Sequence, residues 1–240
     1  MCILLAIRRP AGEGELWVAA NRDERLDRPW QPPQLLVPDP PVFGGRDLVG
    51  GGSWLAVNLR AGFVVGVTNA RLGIPPAERS RGRLVVDLAA EQSLADAGAL
   101  LSELDLSRYG PFDLMLADAR ECWLATNSPE ASIEARRESV VAVGNDPLAE
   151  PGERVMDAAR RGRLLAGLPE GELASSLATL LADHEGADPL CRHGDGYGTV
   201  CSTILVLRGT TLADYRFAPG PPCTTPFATL LSPSERAPDA

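Results

Sequence analysis

The pattern of hydrophobic and polar positions divides the chain into alternating blocks of strands and helices. Two apolar runs, residues 3–8 and 16–21, flank a glycine-containing segment and predict an opening hairpin. Further short apolar runs predict strands at residues 53–58, 63–68, 112–118, 121–126, 140–144, 200–207 and 211–217. Because short turns join most of these neighbours, we expect mainly antiparallel sheets.

Helical periodicity fills the blocks between the strands. Apolar residues recur at helical spacing in residues 79–91, 93–104, 153–168 and 172–182. Strand runs such as residues 3–6 are apolar on both faces, which indicates layers on both sides of the sheet. The pattern therefore predicts an α+β fold of two mostly antiparallel sheets with helix pairs outside them. We expect one domain over residues 1–240, with a frayed polar tail from about residue 232.

Proline and glycine mark the segments that we expect to be irregular. Six prolines in residues 28–41 predict an extended irregular loop, and a long loop in a compact domain is often functional. Gly44, Gly45 and the run of glycines at residues 50–52 predict tight turns. No helix is predicted directly after them, so they do not form a dinucleotide-binding fingerprint.

Composition and charge exclude several classes of function. The formal net charge is −9, which argues against a nucleic-acid partner. Every one of the 23 basic residues is arginine, so lysine Schiff-base chemistry and a Walker-type phosphate loop are excluded. No apolar run is long enough for a membrane helix. The five cysteines, without a Cys-x-x-Cys motif or an export signal, predict reduced thiols and a cytoplasmic protein.

Cys2 is the first candidate for chemistry because of its position. Removal of Met1 is expected before a small second residue, and it would leave a thiol and a free α-amino group on Cys2. An α-amino group titrates near about 7.7–8.0 and can act as the base for its own nucleophile. The alternative is that Cys2 is a small apolar residue at the start of a strand.

A polar cluster, Asn21-Arg22-Asp23-Glu24, follows the second predicted strand. If the first two strands form a hairpin, this cluster lies beside Cys2. Asn21 or Asp23 could then orient the terminal amine, while Arg22 could lower the pKa of the thiol or bind a substrate carboxylate. The alternative is a solvated turn with charges of both signs.

Several motifs occur in an order that resembles a known family. They are Met1-Cys2-Ile3-Leu4-Leu5, Asn21-Arg22-Asp23-Glu24, Arg28-Pro29-Trp30, Gly44-Gly45-Arg46-Asp47, Gly51-Gly52-Ser53-Trp54-Leu55-Ala56-Val57-Asn58, Thr68-Asn69, Ser80-Arg81-Gly82 and Tyr197-Gly198-Thr199. Together they resemble the NRDE family, which includes the transport and Golgi organisation protein 2 of animals and many bacterial relatives. The resemblance runs from Met1 to about Phe217. It implies an N-terminal-nucleophile hydrolase fold, a four-layer αββα sandwich.

The resemblance also implies roles for individual residues. Choloylglycine hydrolases share the wider fold, carry an N-terminal cysteine and cleave amide bonds. Asn21-Arg22-Asp23 is similar to their Asn-x-Asp pattern, but Ala20 stands where they have arginine, which leaves open whether Arg22 replaces it. Many members of the NRDE family have an arginine where this chain has Val200, so that part of the site is in doubt.

The resemblance implies two asparagines at the oxyanion. Asn69 is similar in placement to the asparagine that contacts the oxyanion in the choloylglycine group, and an amide donor suits a developing negative charge. For the second asparagine, Asn145 fits the family pattern better and Asn127 is the rival.

Two functions from different classes follow from these observations. The first is an N-terminal cysteine hydrolase that acts on an amide or related acyl substrate and requires no cofactor. The second is a non-catalytic carrier of haem, acyl-coenzyme A or lipid, a function to which some NRDE relatives have been linked. In the carrier, arginines 22, 46 and 81 would hold propionates or phosphates. Candidate ligand-binding residues under either function are Glu24, Arg46, Trp54 and Arg81.

The few histidines argue against a metal or tight haem ligation. The chain has two histidines, which offer little axial ligation to haem. Cys191 and His193 are separated by one residue and are of metal-binding type, but a zinc site needs three or four ligands. The sequence therefore predicts no metal site.

Overall fold

A computed structural model describes residues 2–70, 77–146, 148 and 150–231. The tail from residue 232, for which fraying is predicted, lies outside these residues. The strands are β1 (Ile3–Arg9), β2 (Glu15–Arg25), β3 (Trp30–Pro38), β4 (Pro41–Asp47), β5 (Leu55–Asn58), β6 (Phe63–Asn69), β7 (Phe112–Ala117), β8 (Cys122–Thr126), β9 (Ser132–Ala135), β10 (Val140–Val143), β11 (Tyr197–Arg208), β12 (Thr211–Ala218) and β13 (Ala228–Leu231). The helices are α1 (Arg81–Ala89), α2 (Leu94–Glu103), α3 (Glu153–Leu165) and α4 (Glu170–Ala182).

The strands of the described residues form two sheets. The amino-terminal sheet has the order β10-β1-β2-β11-β12-β13, and the central sheet runs from β3 to β9 in chain order. Every strand pair recorded within these sheets is antiparallel, as predicted from the short turns. In the part of the chain that the structure describes, no helix is long and apolar enough to cross a membrane.

Three apolar clusters separate four layers. One lies between the sheets, one between the central sheet and the pair α1–α2, and one between the amino-terminal sheet and the pair α3–α4. Strand β1 shows how the pattern produces this arrangement: Leu4 and Ala6 enter the cluster between the sheets, while Ile3 and Leu5 face the helices. The predicted α+β fold, an αββα sandwich, is confirmed.

Residues 28–41 are the clearest departure from the predicted elements. They contain the edge strand β3 and the start of β4, not an irregular loop. Proline is tolerated there because an edge strand has one row of backbone groups without a partner strand, and because the β3–β4 register shifts around the prolines.

Strand β4 also replaces a predicted turn. Gly44 and Gly45 both lie within this strand. Glycine is needed at position 45 because an added Cβ would lie 2.1 Å from the Trp54 ring. A close approach of a side chain, not a turn, explains this glycine.

Strand β2 is longer than predicted. It runs through the Asn-Arg-Asp-Glu motif to Arg25, because β11 pairs with it along its whole length, from Arg208 opposite Glu15 to Tyr197 opposite Arg25. The polar motif is therefore part of a central strand and not a solvated turn. Long-range pairing, which the sequence pattern does not reveal, decides its conformation.

Candidate active site

Cys2 immediately precedes β1 at the end of the sandwich where the motif of β2 lies. Ile3 is opposite Asn21, so the thiol comes beside the motif, and Cys2 Sγ donates a hydrogen bond to the carbonyl oxygen of Asp23 at 3.7 Å. Cys2 shares strand parity with Leu4, which faces the cleft between the sheets. Burial raises the pKa of the Cys2 thiol, and the positive charge of Arg22 opposes this only in part.

Strand alternation divides the motif between the two faces of the amino-terminal sheet. Arg22 points into the cleft between the sheets, where it reaches Asp47 of the central sheet. Its neighbours Asn21 and Asp23 point the other way, toward the layer that contains α3 and α4. Four consecutive polar residues therefore serve two different environments.

Asn21 holds the helix-side layer to the sheet. Its Nδ2 donates to the carbonyl oxygens of Leu181 at 2.9 Å and Leu190 at 2.8 Å, and its Oδ1 accepts a hydrogen bond from Ser202 at 2.6 Å. The residue is buried. Through these three hydrogen bonds Asn21 positions the helix-side segments on the sheet. Its role beside the terminal amine stays a prediction.

Asp23 is the centre of a buried helix-side network. Its carboxylate accepts from Arg154 at 2.7 Å and from the Thr199 hydroxyl at 2.6 Å, while its backbone carbonyl accepts from the Tyr197 hydroxyl at 3.0 Å. The side chain of Asp23 is fully buried and that of Arg154 is 4% exposed. The Tyr-Gly-Thr motif thus supports Asp23, whose carbonyl oxygen in turn contacts the thiol.

Arg154 is a site residue that sequence reasoning missed. It lies on the buried face of α3 with Ala158 and Gly162, at intervals of four residues. An arginine in the apolar stripe of an amphipathic helix was the available signal, because such a residue is buried only with a partner.

Arg22 forms the cleft side of the motif. Its Nη2 donates to Asp47 at 2.9 Å, its Cζ lies 4.4 Å from the centre of the Trp54 ring, and the Glu24 carboxylate is 3.7 Å away. The guanidinium is almost fully buried, and its Nη1 makes no hydrogen bond within the described residues. Trp54 and Glu24, both predicted ligand-binding residues, therefore lie beside Arg22.

Asp47 was also missed, and it joins two arginines. Arg28 donates to its carboxylate twice, at 2.7 and 3.0 Å, in addition to the bond from Arg22. Burial acts to raise the pKa of Asp47, but hydrogen bonds from Arg28 and the Gly50 amide outweigh it and hold the pKa below its ordinary value. The carboxylate fixes the orientation of the cleft arginines.

Arg81 comes to the same end of the molecule through a close backbone contact. The Ser53 amide donates to the Gly82 carbonyl at 2.9 Å, and a Cβ on Gly52 would lie 2.0 Å from the Gly82 carbonyl carbon. Arg81 then donates to the Pro111 carbonyl at 2.8 Å. Burial lowers the pKa of Arg81, and Cys2 is among the charges that act on it.

The structure does not bring Arg46 to this cluster. Arg46 is exposed, whereas the next residue of β4, Asp47, is buried against Arg22. Successive side chains of a strand point to opposite faces, so a single position separates the two.

Asn69 and Asn145 meet across the two sheets. Asn69 ends β6 of the central sheet and Asn145 follows β10 of the amino-terminal sheet, and Asn145 Nδ2 donates to the carbonyl oxygen of Asn69 at 2.5 Å. Thr68 also donates to the carbonyl of Gly144, whose added Cβ would lie 3.7 Å from the Cys2 carbonyl. Within the described residues, the Asn69 side chain makes no hydrogen bond. The Asn145 side chain thus lies against the end of β6, and the preceding Gly144 lies near the Cys2 backbone.

Asn127 has a different environment. Its Oδ1 accepts from the Phe112 amide at 2.8 Å, and its Nδ2 donates to the carbonyl oxygens of Leu106 at 2.9 Å and Tyr109 at 3.1 Å. The side chain orders the segment before β7. Of the two rival asparagines, the structure brings Asn145 to Asn69.

Asp113 is a buried carboxyl on the cleft side of β7. It is opposite Thr68, whose hydroxyl reaches across to the amino-terminal sheet. It is fully buried, and neither carboxyl oxygen meets a hydrogen-bond partner within the described residues. Burial and the nearby charge of Asp146 raise the pKa of Asp113 to about 7.

A cavity of about 430 Å³ lies along the edge strand β10, and Cys2, Asn69 and Asn145 are not among its lining residues. Gly144 and Asp146 form the end nearest Asn145, and Val143, Val155 and Met156 contribute apolar walls.

Val200, where many family members have arginine, is buried in the apolar cluster between the sheets. It leaves that position without charge.

The comparisons with known proteins agree with this architecture. A family model described as Transport and Golgi organisation 2 matches residues 1–215. Among solved structures, the chain is similar to the Caenorhabditis elegans ortholog of N-acylethanolamine-hydrolyzing acid amidase, with a TM-score of 0.58 and 14% sequence identity. The similarity covers 85% of this chain and 92% of that chain, and it shows the fold. No curated protein matches this chain.

Proposed function

Because this chain belongs to the Transport and Golgi organisation 2 family, also identified by its NRDE motif, we propose that it is an N-terminal cysteine hydrolase acting on an amide or related acyl substrate. The observation that carries the proposal is the convergence of three groups. The Cys2 thiol contacts the Asp23 carbonyl of the motif, the Asn145 side chain donates to the Asn69 carbonyl, and Gly144, next to Asn145, lies close to the Cys2 backbone.

The chemistry requires the α-amino group of Cys2, which becomes free when Met1 is removed. This amine takes the thiol proton while the sulfur attacks the substrate carbonyl carbon. The carbonyl π electrons move to oxygen, where amide N–H groups of Asn69 and Asn145 stabilise the negative charge. Collapse breaks the C–N bond, and the amine returns its proton to the leaving nitrogen. Water then hydrolyses the thioester by the same proton path.

The motif of β2 positions this nucleophile. The carbonyl oxygen of Asp23 receives the thiol hydrogen bond, and Arg154 with Thr199 holds the Asp23 side chain in place. In the proposal Asp23 orients the terminal amine, and Arg22 favours the thiolate from the cleft side, as its effect on the Cys2 pKa indicates.

Two features support an acyl substrate with an apolar part. The cavity along β10 offers space of about 430 Å³ and is lined by apolar residues such as Val143 and Val155 together with charged residues such as Arg136 and Glu138. The similar structure is named as an amidase that hydrolyses N-acylethanolamines. In this mechanism the Cys2 thiol must stay reduced. We therefore expect a cytoplasmic location, because thiols are kept reduced in that compartment.

One observation favours the carrier function as a second candidate. Burial raises the pKa of the Cys2 thiol, and a protonated thiol is a weak nucleophile. In a carrier, the partly unpaired Arg22 guanidinium would bind an acidic group of haem, acyl-coenzyme A or a lipid.

The first experiment tests the nucleophile. Intact mass should show a chain that starts at Cys2, and incubation with fluorogenic acyl amides of increasing chain length should add one acyl group to Cys2. Cys2→Ala should abolish this adduct, whereas Cys122→Ala, a matched control in the buried strand β8, should retain it. Iodoacetamide should label Cys2 faster than Cys122, because Cys2 is partly exposed whereas Cys122 is buried, with its pKa raised to about 11.

The second experiment tests the oxyanion assignment. Asn69→Ala should lower turnover by about 10²- to 10³-fold while the free energy of unfolding changes by less than about 0.5 kcal/mol. Retained Met1, or no acyl adduct across the amide panel in protein that begins at Cys2, would contradict the hydrolase. If Cys2→Ala then still binds haem or acyl-coenzyme A like the wild type, the carrier becomes the better function.

A further inference from the structure

The chain has two histidines and five cysteines, and four of these seven residues gather in one place. His184, Cys191 and His193 lie in the segment between α4 and β11, and Cys223 lies between β12 and β13. Cys191 Sγ is 3.6 Å from Cys223 Sγ and 3.7 Å from His193 Nε2, and His193 Nε2 is 3.1 Å from Cys223 Sγ. Donor atoms of His184, His193 and Cys223 lie within 4.8 Å of one another.

These separations fit the ligands of one tetrahedral zinc ion. With Zn–S of about 2.3 Å and Zn–N of about 2.0–2.1 Å, tetrahedral geometry places two sulfurs about 3.8 Å apart and sulfur and nitrogen about 3.6 Å apart. The contacts among Cys191, His193 and Cys223 lie within about 0.5 Å of these values. Two thiolates and two imidazoles form one of the common structural zinc sets.

The second contacts of these residues also resemble those of metal ligands. His184 Nδ1 lies 3.2 Å from the carbonyl oxygen of Ala182, and a proton on Nδ1 leaves Nε2 free for a metal. Cys191 is fully buried, and its amide donates to the Asp183 carbonyl at 2.8 Å.

We propose that Cys191, His193, Cys223 and His184 bind one zinc ion. The ion joins the segment after α4 to the segment after β12, which are distant in the sequence. None of its four ligands belongs to the proposed hydrolase site.

Hydrogen bonds link this zinc site to Asp23. The Arg192 amide, between two of the ligands, donates to Thr199 Oγ1 at 2.9 Å, and that hydroxyl donates to Asp23 at 2.6 Å. The Leu190 carbonyl, next to Cys191, accepts from Asn21 and from Arg154. A cation at Cys191 therefore fixes the segment that supports the helix side of the motif.

Metal content and cobalt spectroscopy test the proposal on the wild-type chain with any histidine tag removed. The protein from reduced, chelator-free buffer should retain one zinc per chain. Replacement by Co²⁺ should produce thiolate-to-metal charge-transfer absorption and the intense d–d bands of a tetrahedral site. Zinc should also protect Cys191 and Cys223 from alkylation until a chelator is added.

Variants assign the ligands. Cys223→Ser and His193→Ala should weaken zinc binding by more than the roughly 10- to 100-fold that loss of an outer-shell partner costs. Cys2→Ser, the matched control, should keep full zinc content. The proposal would be overturned if the reduced wild type bound neither zinc nor cobalt, or if its cobalt spectrum lacked thiolate charge-transfer bands. It would also be overturned if Cys223→Ser bound zinc with the same affinity as the wild type. The wild-type spectra decide the matter even if a variant fails to fold.

Discussion

The two faces of strand β2 carry the same four-residue motif into opposite environments. On the helix side, Asn21 and Asp23 form hydrogen bonds with α3, α4, β11 and the segment before β11. On the cleft side, Arg22 keeps a buried nitrogen that makes no hydrogen bond among the described residues. The comparison teaches that the helix side of the motif is held by hydrogen bonds, while the cleft side keeps one donor without a partner among the described residues.

The two faces also treat buried carboxyl groups differently. Asp23 on the helix side is paired with Arg154, whereas Asp113 on the cleft side has no recorded partner among the described residues. Loss of one partner of a buried ion pair destabilises the fold, because it leaves an uncompensated buried charge. A buried carboxyl without a partner can instead bind a proton and become neutral. The predictions below use this contrast, beginning with the largest effect.

Arg154→Met should be the most damaging change. It leaves the fully buried Asp23 carboxylate without its arginine, and loss of one partner of a buried pair costs about 3–5 kcal/mol of unfolding free energy. Urea unfolding measures this value. Arg163→Met, on the exposed face of the same helix, is the control and should change the free energy by less than about 0.5 kcal/mol. Equal costs for both variants would refute the helix-side network.

Asp113 should make stability depend on pH. Its pKa is raised from 3.8 to about 7 in the folded chain, so the folded state holds a proton that the unfolded state loses. The stability is therefore fully present below about pH 4 and falls as pH rises through about 7, by up to about 4 kcal/mol.

Asp113→Asn isolates this contribution. The variant should match the wild type near pH 4 and exceed its unfolding free energy near pH 8, because the amide cannot ionise. Denaturant unfolding at both pH values provides the measurement. Parallel pH profiles for the two proteins would show that Asp113 is charged and paired when folded.

Arg22→Met should affect chemistry more than stability. Asp47 keeps both hydrogen bonds from Arg28, so we expect a loss of only about 1–2 kcal/mol. Removal of the positive charge should raise the pKa of Cys2 further and slow its alkylation, by up to about tenfold per pKa unit. Unchanged Cys2 labelling, measured by peptide mapping at pH 7, would separate Arg22 from the nucleophile.

Arg46→Ala should have the smallest effect. Arg46 is exposed and on the face of β4 opposite Asp47, so the unfolding free energy should change by less than about 0.5 kcal/mol. Acylation of Cys2 by the amide probe should also be unchanged. A marked loss of acylation would restore Arg46 to the ligand site and contradict the division between faces.

The sequence by itself determined the layers and, among the described residues, the four helices and nine of the thirteen strands. Successive residues of β1, such as Leu4, Leu5 and Ala6, point to opposite faces of the strand. Because both faces are apolar, a layer must cover each of them. The opening hairpin then places Cys2 beside the motif of β2, since antiparallel neighbours bring the start of one strand to the end of the next. These features depend on local periodicity, which is readable along the chain.

Only the tertiary structure decided which distant residues meet. Asp23 and Arg154 are 131 positions apart, and Asn69 and Asn145 are 76 apart, so no local pattern links them. Cys191 and His193 alone do not make a metal site, and Cys223 joins them because β12 returns beside β11. Partners of buried polar groups are chosen by the packing of whole layers, whereas periodicity specifies only the face on which each group lies.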